Sequence, residues 1–583
     1  MTRDHRTTVS NVLVIGSGGA GLRAAISAHD AGSEVTIVGK RLRTDAHTVL
    51  AAGGINAALG TVDPDDSPRW HFADTWQEGY FLADARKIEI LVNEAPDRIR
   101  ELDAWGMAFA RTEGGDIDQR YFGAHRYRRT CYAGDWTGRA MIETLHDQVL
   151  KRDIPIIENT YVSKLLVHDG NCFGAVTFDL HSGERTVQLA DAVVLCGGGH
   201  TRLWRRSSSR RDENNGDAMY LALAAGVPLA DLELVQFHPT GMTHPEEWAG
   251  QLVTEAVRGE GGHLKNADGE RFMERYDPER MELSARDRVA LANYTEISEG
   301  RGGPNGGVFL DISHLGRDEI REKLPRMHRQ MIEAQMIDIG VDPIEVAPTA
   351  HYSMGGIVIT PETGATEVDG LFAAGEITAG LHGANRLGGN SLCETVVFGA
   401  RAGDAAAAHS RDLTVQLRSR DTITGAFDEL DEAIRDGDEV VRVAQRELRN
   451  TMWEHVGVVR DEEGLDQGLE RLRDLHANLP NLDVHPDSQG YQDLAAALDL
   501  RGSIVTAMAT TMAARERRET RGAHQRRDHT ERDDEHQLVN HRIRLDADGE
   551  LTLETLPRPS IPDHLEEWAR DAEEVDTGGR LLE

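Results

Sequence analysis

The stretch Asn11-Val-Leu-Val-Ile-Gly16-Ser-Gly18-Gly-Ala-Gly21-Leu22 decides the fold. Its apolar run reads as a short buried strand, Leu22 to Ala31 as a helix, and Glu34-Val-Thr-Ile-Val38 as the next strand. G-x-G-x-x-G therefore falls between strand and helix. In that setting the glycines let the backbone approach a pyrophosphate, and the helix N-terminus stabilises its negative charge. The second strand ends in Gly39-Lys40, without the Asp or Glu that would hold a ribose hydroxyl of NAD. FAD, held partly by other segments, fits better.

Outward from this unit, Val162 to Leu180 alternates like a hairpin, and Ala192-Val-Val-Leu-Cys196-Gly-Gly-Gly199 reads as a buried strand running into glycines. Gly370-Leu-Phe-Ala-Ala-Gly375-Glu376 looks like the last strand of the same sheet, with a second turn facing the phosphates. Polar and charged loops dominate between them, from about residue 236 to 350, and read as an inserted lobe. Residues 415–515 switch to helical periodicity: Leu469, Leu472 and Leu475 share one face, as do Leu494, Leu498, Val505, Met508 and Met512. A charged tail follows from about residue 530 and closes on the amphipathic Leu565-Glu-Glu-Trp568. The expected architecture is α/β: a Rossmann-like FAD-binding domain over residues 1–235 and 351–412, interrupted by an α+β capping domain over 236–350. A helical domain over 413–530 and a short C-terminal region over 531–583 complete it.

Sixty-four basic residues stand against 99 acidic ones, a formal net charge of −35 over 583 residues. Such a chain does not bind nucleic acid non-specifically and is repelled by acidic membranes. An acidic surface that keeps the protein soluble in a high-salt, halophilic cytoplasm is the preferred reading of the excess. Cys131, Cys172, Cys196 and Cys393 are singletons, so neither an iron–sulfur cluster nor a structural zinc is expected here. No apolar run approaches the ~18 residues of a membrane span, and the opening Met1-to-Ser10 segment leads into a strand rather than a signal peptide.

Several distant segments carry polar residues that plain turns would not need. They are His47-Thr-Val-Leu-Ala-Ala-Gly53-Gly54, Gln236-Phe-His238-Pro-Thr240, Thr254-Glu255-Ala-Val-Arg258, Ser284-Ala-Arg286-Asp287, Thr349-Ala-His351-Tyr-Ser-Met-Gly-Gly356 and His382-Gly-Ala-Asn385-Arg386-Leu-Gly-Gly-Asn-Ser391. Singly, each His or Arg is a common surface partner. Together, two Arg and two His beside a flavin make an anion-binding cavity suited to a small dicarboxylate, because guanidinium forks match carboxylates bidentately and imidazoles offer directed donors.

In these motifs, and in their order, the chain resembles the flavoprotein subunit of succinate dehydrogenases and fumarate reductases, from residue 11 to about 545, with Arg521-Gly-Ala-His524 and Arg532-Asp-Asp534 near its end. The resemblance implies that His47 carries FAD covalently, which raises the flavin potential. It implies that Gly16, Gly18 and Gly21 cradle the pyrophosphate, that Glu376 holds the ribose, and that Gly53, Gly54, Ser391 and Leu392 complete the cofactor site. It implies that His238, Thr254, His351 and Arg386 bind the two carboxylates. Arg286 would exchange a proton at one methylene carbon while the flavin exchanges hydride at the other, with Glu255 and Arg258 relaying the proton outward. A guanidinium is normally protonated beyond pH 12, so an acid/base role for one calls for desolvation and a neighbouring cation, which Arg258 could supply.

The resemblance further implies succinate oxidation within the tricarboxylic acid cycle and electron transport. It also implies a partner iron–sulfur subunit with a membrane anchor, and peripheral residence on the cytoplasmic face of the membrane. Fumarate reduction uses the same site and is the alternative. L-aspartate oxidase, which binds FAD without a covalent link, is a more distant one, and His47 in Ala-His-Thr-Val speaks against it. The Arg-rich stretch Arg515 to Arg527 reads either as a docking face or flavin-positioning element, or as a solvated helix end with compensating carboxylates. His524, His529, His536 and His541 lack a completing ligand pattern, and no metal is assigned.

Overall fold

The computed structural model describes residues 5–42, 44–546 and 548–579; Met1 to Asp4 of the expected N-terminal lead lie outside them. A seven-stranded sheet runs in the order Ile156–Ile157, Val35–Val38, Arg6–Ile15, Arg185–Leu195, Asn171–Asp179, Thr160–His168, with Leu371–Ala373 also paired to Arg185–Leu195. The pairings of Arg6–Ile15 with Val35–Val38 and with Arg185–Leu195 are parallel. Both faces of the second half of the first strand, Val12 to Ile15, are buried. Val12 and Val14 pack with Leu22, Ala24 and Val396 on one side, and Leu13 and Ile15 with Met219, Leu223 and Val505 on the other. Burial on both faces is why its sequence is continuously apolar rather than alternating. The strand starts at Arg6, earlier than the apolar run alone indicated, because its polar first half still pairs with residues 186–190.

The helix Gly19–Asp30 begins directly after Gly18, and Gly16 takes φ +113°. A Cβ on Gly16 would lie 2.2 Å from the Cys196 carbonyl oxygen, and one on Gly21 would lie 1.9 Å from that of Gly16. Only glycine lets the turn close so tightly against the neighbouring strand.

A second, four-stranded antiparallel sheet is built from Val235–Met242, Ile344–Ser353, Val308–Asp311 and His263–Lys265, in that order. Met242, Leu264, Leu310 and Val346 form its core with Met327 and Met331 of the helix Pro325–Gln335. Four helices between Arg420 and Glu516 pack around Leu430, Leu448, Met452, Leu465, Leu472 and Leu498. Leu469, Leu475, Leu494 and Val505 are buried as the periodicity indicated, while Met508 and Met512 are only half-buried. Among the described residues, no helix is long and apolar enough to cross a membrane.

The C-terminal third holds two features beyond the charge pattern. The charged tail contains a hairpin, Val539–Leu545 with Leu551–Pro557, which extends a sheet shared with Leu229–Ala230 and Gly356–Ile357. The Arg515–Arg527 stretch has the compensating carboxylates expected of it, but three of its arginines are buried rather than solvated. Arg517, Arg521 and Arg526 are buried, with Arg517 bonded to Glu233 at 2.7 Å, Arg521 to Glu519 at 2.7 Å and Arg526 to Asp528 at 2.7 Å. Buried charges persist where partners neutralise them. The closing helix Glu566–Gly579 docks through Trp568, edge-on to Phe72 at 5.6 Å.

Candidate active site

A cavity of about 1400 Å³ opens between the two sheets and is lined by Gly16, Gly18, His47, Gly53, Gly54, His238, Thr254, Glu255, Arg286, His351, Glu376, Arg386, Ser391 and Leu392. Two expected site residues stand back from it. Gly21 packs under the Gly16 turn, and Arg258 is buried behind Glu255.

Two helix N-termini meet this cavity, at Gly19 and at Asn390, the latter preceded by Gly389 at φ +88°. Both leave backbone N–H groups for an anion. Glu376 accepts from the Ser353 backbone N–H at 3.1 Å, and its burial raises its pKa above the usual carboxylate value. The cradle at Gly16 and Gly18, the N-terminus behind it and the length of the cavity fit a dinucleotide with room left for a small substrate.

His47 opens a short 3-10 turn, His47–Leu50. Its Nδ1 lies 3.2 Å from Glu213 Oε2. Burial works to lower the imidazole pKa, but the hydrogen bond and charge of Glu213 outweigh it, and the pKa is raised.

At the other end, a bulge sets the histidines. Gln236 pairs with Tyr352 and Phe237 with Ala350, so His351 is an extra residue without a cross-strand partner. A bulge re-aims the side chain it carries. The His351 ring thereby comes to 5.4 Å from that of His238, at 72°, with Nδ1 3.0 Å from Ser208 Oγ. Burial, then the nearby Arg286, Arg258 and Arg386, hold the His238 pKa well below its ordinary value; burial, then His238 and the arginines, do the same for His351. Both rings are neutral near pH 7.

Arg286, the first residue of the helix Arg286–Glu296, donates from Nε and Nη2 to Glu255 Oε2 at 2.9 and 2.6 Å. Arg258 Nη2 is 3.9 Å from the same oxygen, while Arg258 Nη1 donates to the Glu282 carbonyl at 2.6 Å. Burial raises the Glu255 pKa, yet the charges of Arg286 and Arg258 prevail and hold it at about 2. Arg386 lies 4.4 Å over the Tyr352 ring and donates from Nη2 to Gln236 Oε1 at 2.9 Å, and its buried Nε has no hydrogen-bond partner. Burial, then repulsion from Arg286, pull its pKa down to about 10. Three guanidinium cations against one carboxylate leave two positive charges, equal and opposite to a dicarboxylate.

Four contributors escaped the sequence reading: Glu213 and Ser208 behind the histidines, Gln236 between the two arginines, and the Tyr352–Glu394–His382 network beneath Arg386, with bonds of 2.6 and 3.1 Å. Gln236 and Tyr352 sit inside motifs already singled out; Glu213 and Ser208 carry no local signal.

Comparison with known proteins identifies the family. A family model described as FAD binding domain matches residues 11–392, and one described as Fumarate reductase flavoprotein C-term matches residues 445–570. The chain is 46% identical over 523 residues to a Methanothermobacter marburgensis protein named as part of a fumarate reductase (CoM/CoB), covering 89% of this chain and 94% of that one. It is 37% identical over 572 residues to the succinate dehydrogenase flavoprotein subunit of Rickettsia conorii, covering 94% and 95%. The structure of Mycobacterium smegmatis Sdh1 in complex with UQ1 superposes with a TM-score of 0.89 at 38% identity, over 98% of each chain. The chain belongs to the succinate dehydrogenase/fumarate reductase flavoprotein family and is an FAD-dependent oxidoreductase.

Proposed function

We propose that this chain interconverts succinate and fumarate in the cavity between its two sheets, working chiefly as a succinate dehydrogenase. The observation that carries the reading is the convergence of Arg286, Arg386, His238 and His351 on one end of a cavity whose other end is a dinucleotide cradle. The two uncompensated positive charges suit a dicarboxylate and disfavour the additional ammonium of L-aspartate.

Bound FAD supplies a hydride acceptor. In the proposed division of labour, Arg386 forks onto one substrate carboxylate, while His238, His351 and Thr254 donate to the other and hold it rotated against the carbon chain. Neutral imidazoles serve as donors here without adding charge. Arg286 takes a proton from the methylene carbon facing it as hydride leaves the adjacent one. Glu255 Oε2, 2.6 Å from Arg286 Nη2, passes the proton on, with Arg258 stabilising the ionised carboxylate. Gly16, Gly18, Gly21, Gly53, Gly54, Glu376, Ser391 and Leu392 hold the cofactor, and His47 bonds to it covalently. The domain division expected from sequence, with the capping domain over 236–350, goes with this reading: substrate lies between capping and FAD-binding domains.

The four cysteines are isolated and buried, so electrons leave through a separate iron–sulfur subunit, which with a membrane anchor would hold this chain at the cytoplasmic face of the membrane. The 46% identity to a relative named as a CoM/CoB fumarate reductase favours a second reading, fumarate reduction with CoM/CoB in place of a quinol. One preparation tests both. Flavin should remain in an acid-precipitated, washed pellet and map to the His47 peptide, and dye-coupled succinate oxidation should exceed fumarate reduction. Flavin that washes out of fully loaded protein removes the covalent link, and a rate ratio favouring fumarate reverses the direction.

A further inference from the structure

The loop that carries His47 is clamped to the segment Arg210–Glu213 by a dense set of ion pairs. Arg41 bonds Asp45 and Asp212, each at 2.6 Å, and Arg210 reaches Asp45 at 2.5 Å. Glu213 sits at the centre. Its Oε1 lies 3.1 Å from Arg210 Nε and 3.4 Å from Arg41 Nε, its Oε2 accepts from the Arg210 backbone N–H at 3.2 Å, and the same Oε2 faces His47 Nδ1 at 3.2 Å. The Glu213 side chain is only 5% exposed, against 25% for His47, which opens onto the cavity. A carboxylate held so firmly against one ring nitrogen fixes the tautomer: Nδ1 carries the hydrogen and Nε2 keeps the lone pair.

We propose that Glu213 is the positioning residue for covalent attachment of the flavin, selecting Nε2 as the attacking atom and stabilising the charge that attachment creates. The inference rests on the reading of His47 as the attachment residue. Nε2 adds to the methyl carbon at position 8 of the flavin ring. The methyl hydrogen lost moves as a proton to a ring nitrogen, and the electron pair of the broken C–H bond leaves the flavin reduced by two electrons. The imidazole, now substituted at Nε2 and still protonated on Nδ1, becomes a cation. Fumarate then accepts a hydride and a proton, which restores the oxidised flavin and the neutral imidazole. The positive charge arises 3.2 Å from a desolvated carboxylate, where opposite charges attract far more strongly than in water. The raised His47 pKa is the same attraction felt by the free ring.

The test compares the full-length chain, in its complex, with Glu213→Gln, Glu213→Ala and His47→Ala. Total flavin is measured after native release, and covalent flavin after acid precipitation, as a time course with fumarate present. Glu213→Gln keeps the volume and an acceptor but no charge, so attachment should slow at least tenfold with total flavin unchanged. Glu213→Ala should slow it further, and His47→Ala should abolish it. The covalent flavin of the Glu213→Gln protein should also show a higher midpoint potential, because a carboxylate beside the neutral substituted imidazole opposes electron uptake, a readout that mere misfolding does not produce. Attachment at unchanged rate in both Glu213 variants, with His47→Ala devoid of covalent flavin, overturns this proposal alone. Absence of covalent flavin from the unsubstituted chain, or its persistence in His47→Ala, overturns both this proposal and the His47 reading.

Discussion

Replacing Gln236 with Met removes two polar atoms from the centre of the site while nearly conserving length and volume. Gln236 is fully buried and makes four contacts: Oε1 accepts from Arg386 Nη2 at 2.9 Å and Arg286 Nη1 at 3.4 Å, and Nε2 donates to Asn385 Oδ1 at 2.8 Å and the Arg386 carbonyl at 3.0 Å. The shared oxygen is what lets two like-charged guanidinium groups face one substrate. A hydrogen bond to a charged group contributes about 1.5–3 kcal/mol. The 2.9 Å bond to Arg386 therefore sets the floor, and the longer one to Arg286 adds to it, for a loss of about 2–4 kcal/mol. At about 1.4 kcal/mol per decade this is roughly 30- to 1000-fold in kcat/KM. Arg386 keeps its seat over Tyr352, so the substitution misaligns the guanidinium rather than removing it. KM should rise and kcat should fall together, with FAD content unchanged because Gln236 does not touch the cofactor end. Steady-state succinate oxidation by the fully flavinylated variant is the assay. A kcat/KM within about threefold of the starting protein refutes the idea that this amide holds the two arginines in register.

Two further outcomes follow from the ionic contacts. The Glu255 pKa is depressed from 4.5 to about 2, so its contribution to stability is present above about pH 4.5 and is lost as the pH falls through 2; the pH–rate profile should show no acid limb from this group between about pH 5 and 8, and a limb in that range that disappears in Glu255→Gln contradicts the assignment. Arg517→Met strands Glu233, Glu519 and Asp231, which lie 2.7, 3.4 and 3.4 Å from its guanidinium, and should lower unfolding free energy by about 3–5 kcal/mol without altering kinetics of the folded fraction; a change below about 1 kcal/mol in denaturant unfolding would show that the cluster relaxes freely.

The sequence discloses what is local and hides what is assembled. Strand, glycine turn and helix at Asn11–Asp30 were legible because each step is set by neighbours in the chain. The hairpin at Thr160–Asp179 and the returning strand at Leu371–Ala373 were legible for the same reason. His238, His351, Arg286 and Arg386 were singled out by motif, and the structure brings all four to one cavity. What turns His351 inward is a bulge that exists only once two strands pair. Glu213 meets His47 across 166 residues, so no spacing could have linked them. The burial of Arg517 was hidden for the complementary reason: two of its neutralising carboxylates, Asp231 and Glu233, belong to a distant loop, whereas Arg521 and Arg526 find Glu519 and Asp528 close by in the chain.

The strand order also bears on how the protein is made. Arg6–Ile15 is synthesised long before its partner Arg185–Leu195, and Leu371–Ala373 joins that strand later still. At about 5–20 residues per second, roughly 20–70 s of translation separate the first and last of these strands. Until Cys196 emerges the glycine turn has no floor, and throughout the interval the cavity has no far wall, since Glu376, Arg386 and Ser391 have not emerged. Non-local pairings of this kind fold late. Flavin loading is therefore an event of the finished chain, and a ribosome-bound nascent protein halted before residue 371 is in no position to retain the cofactor.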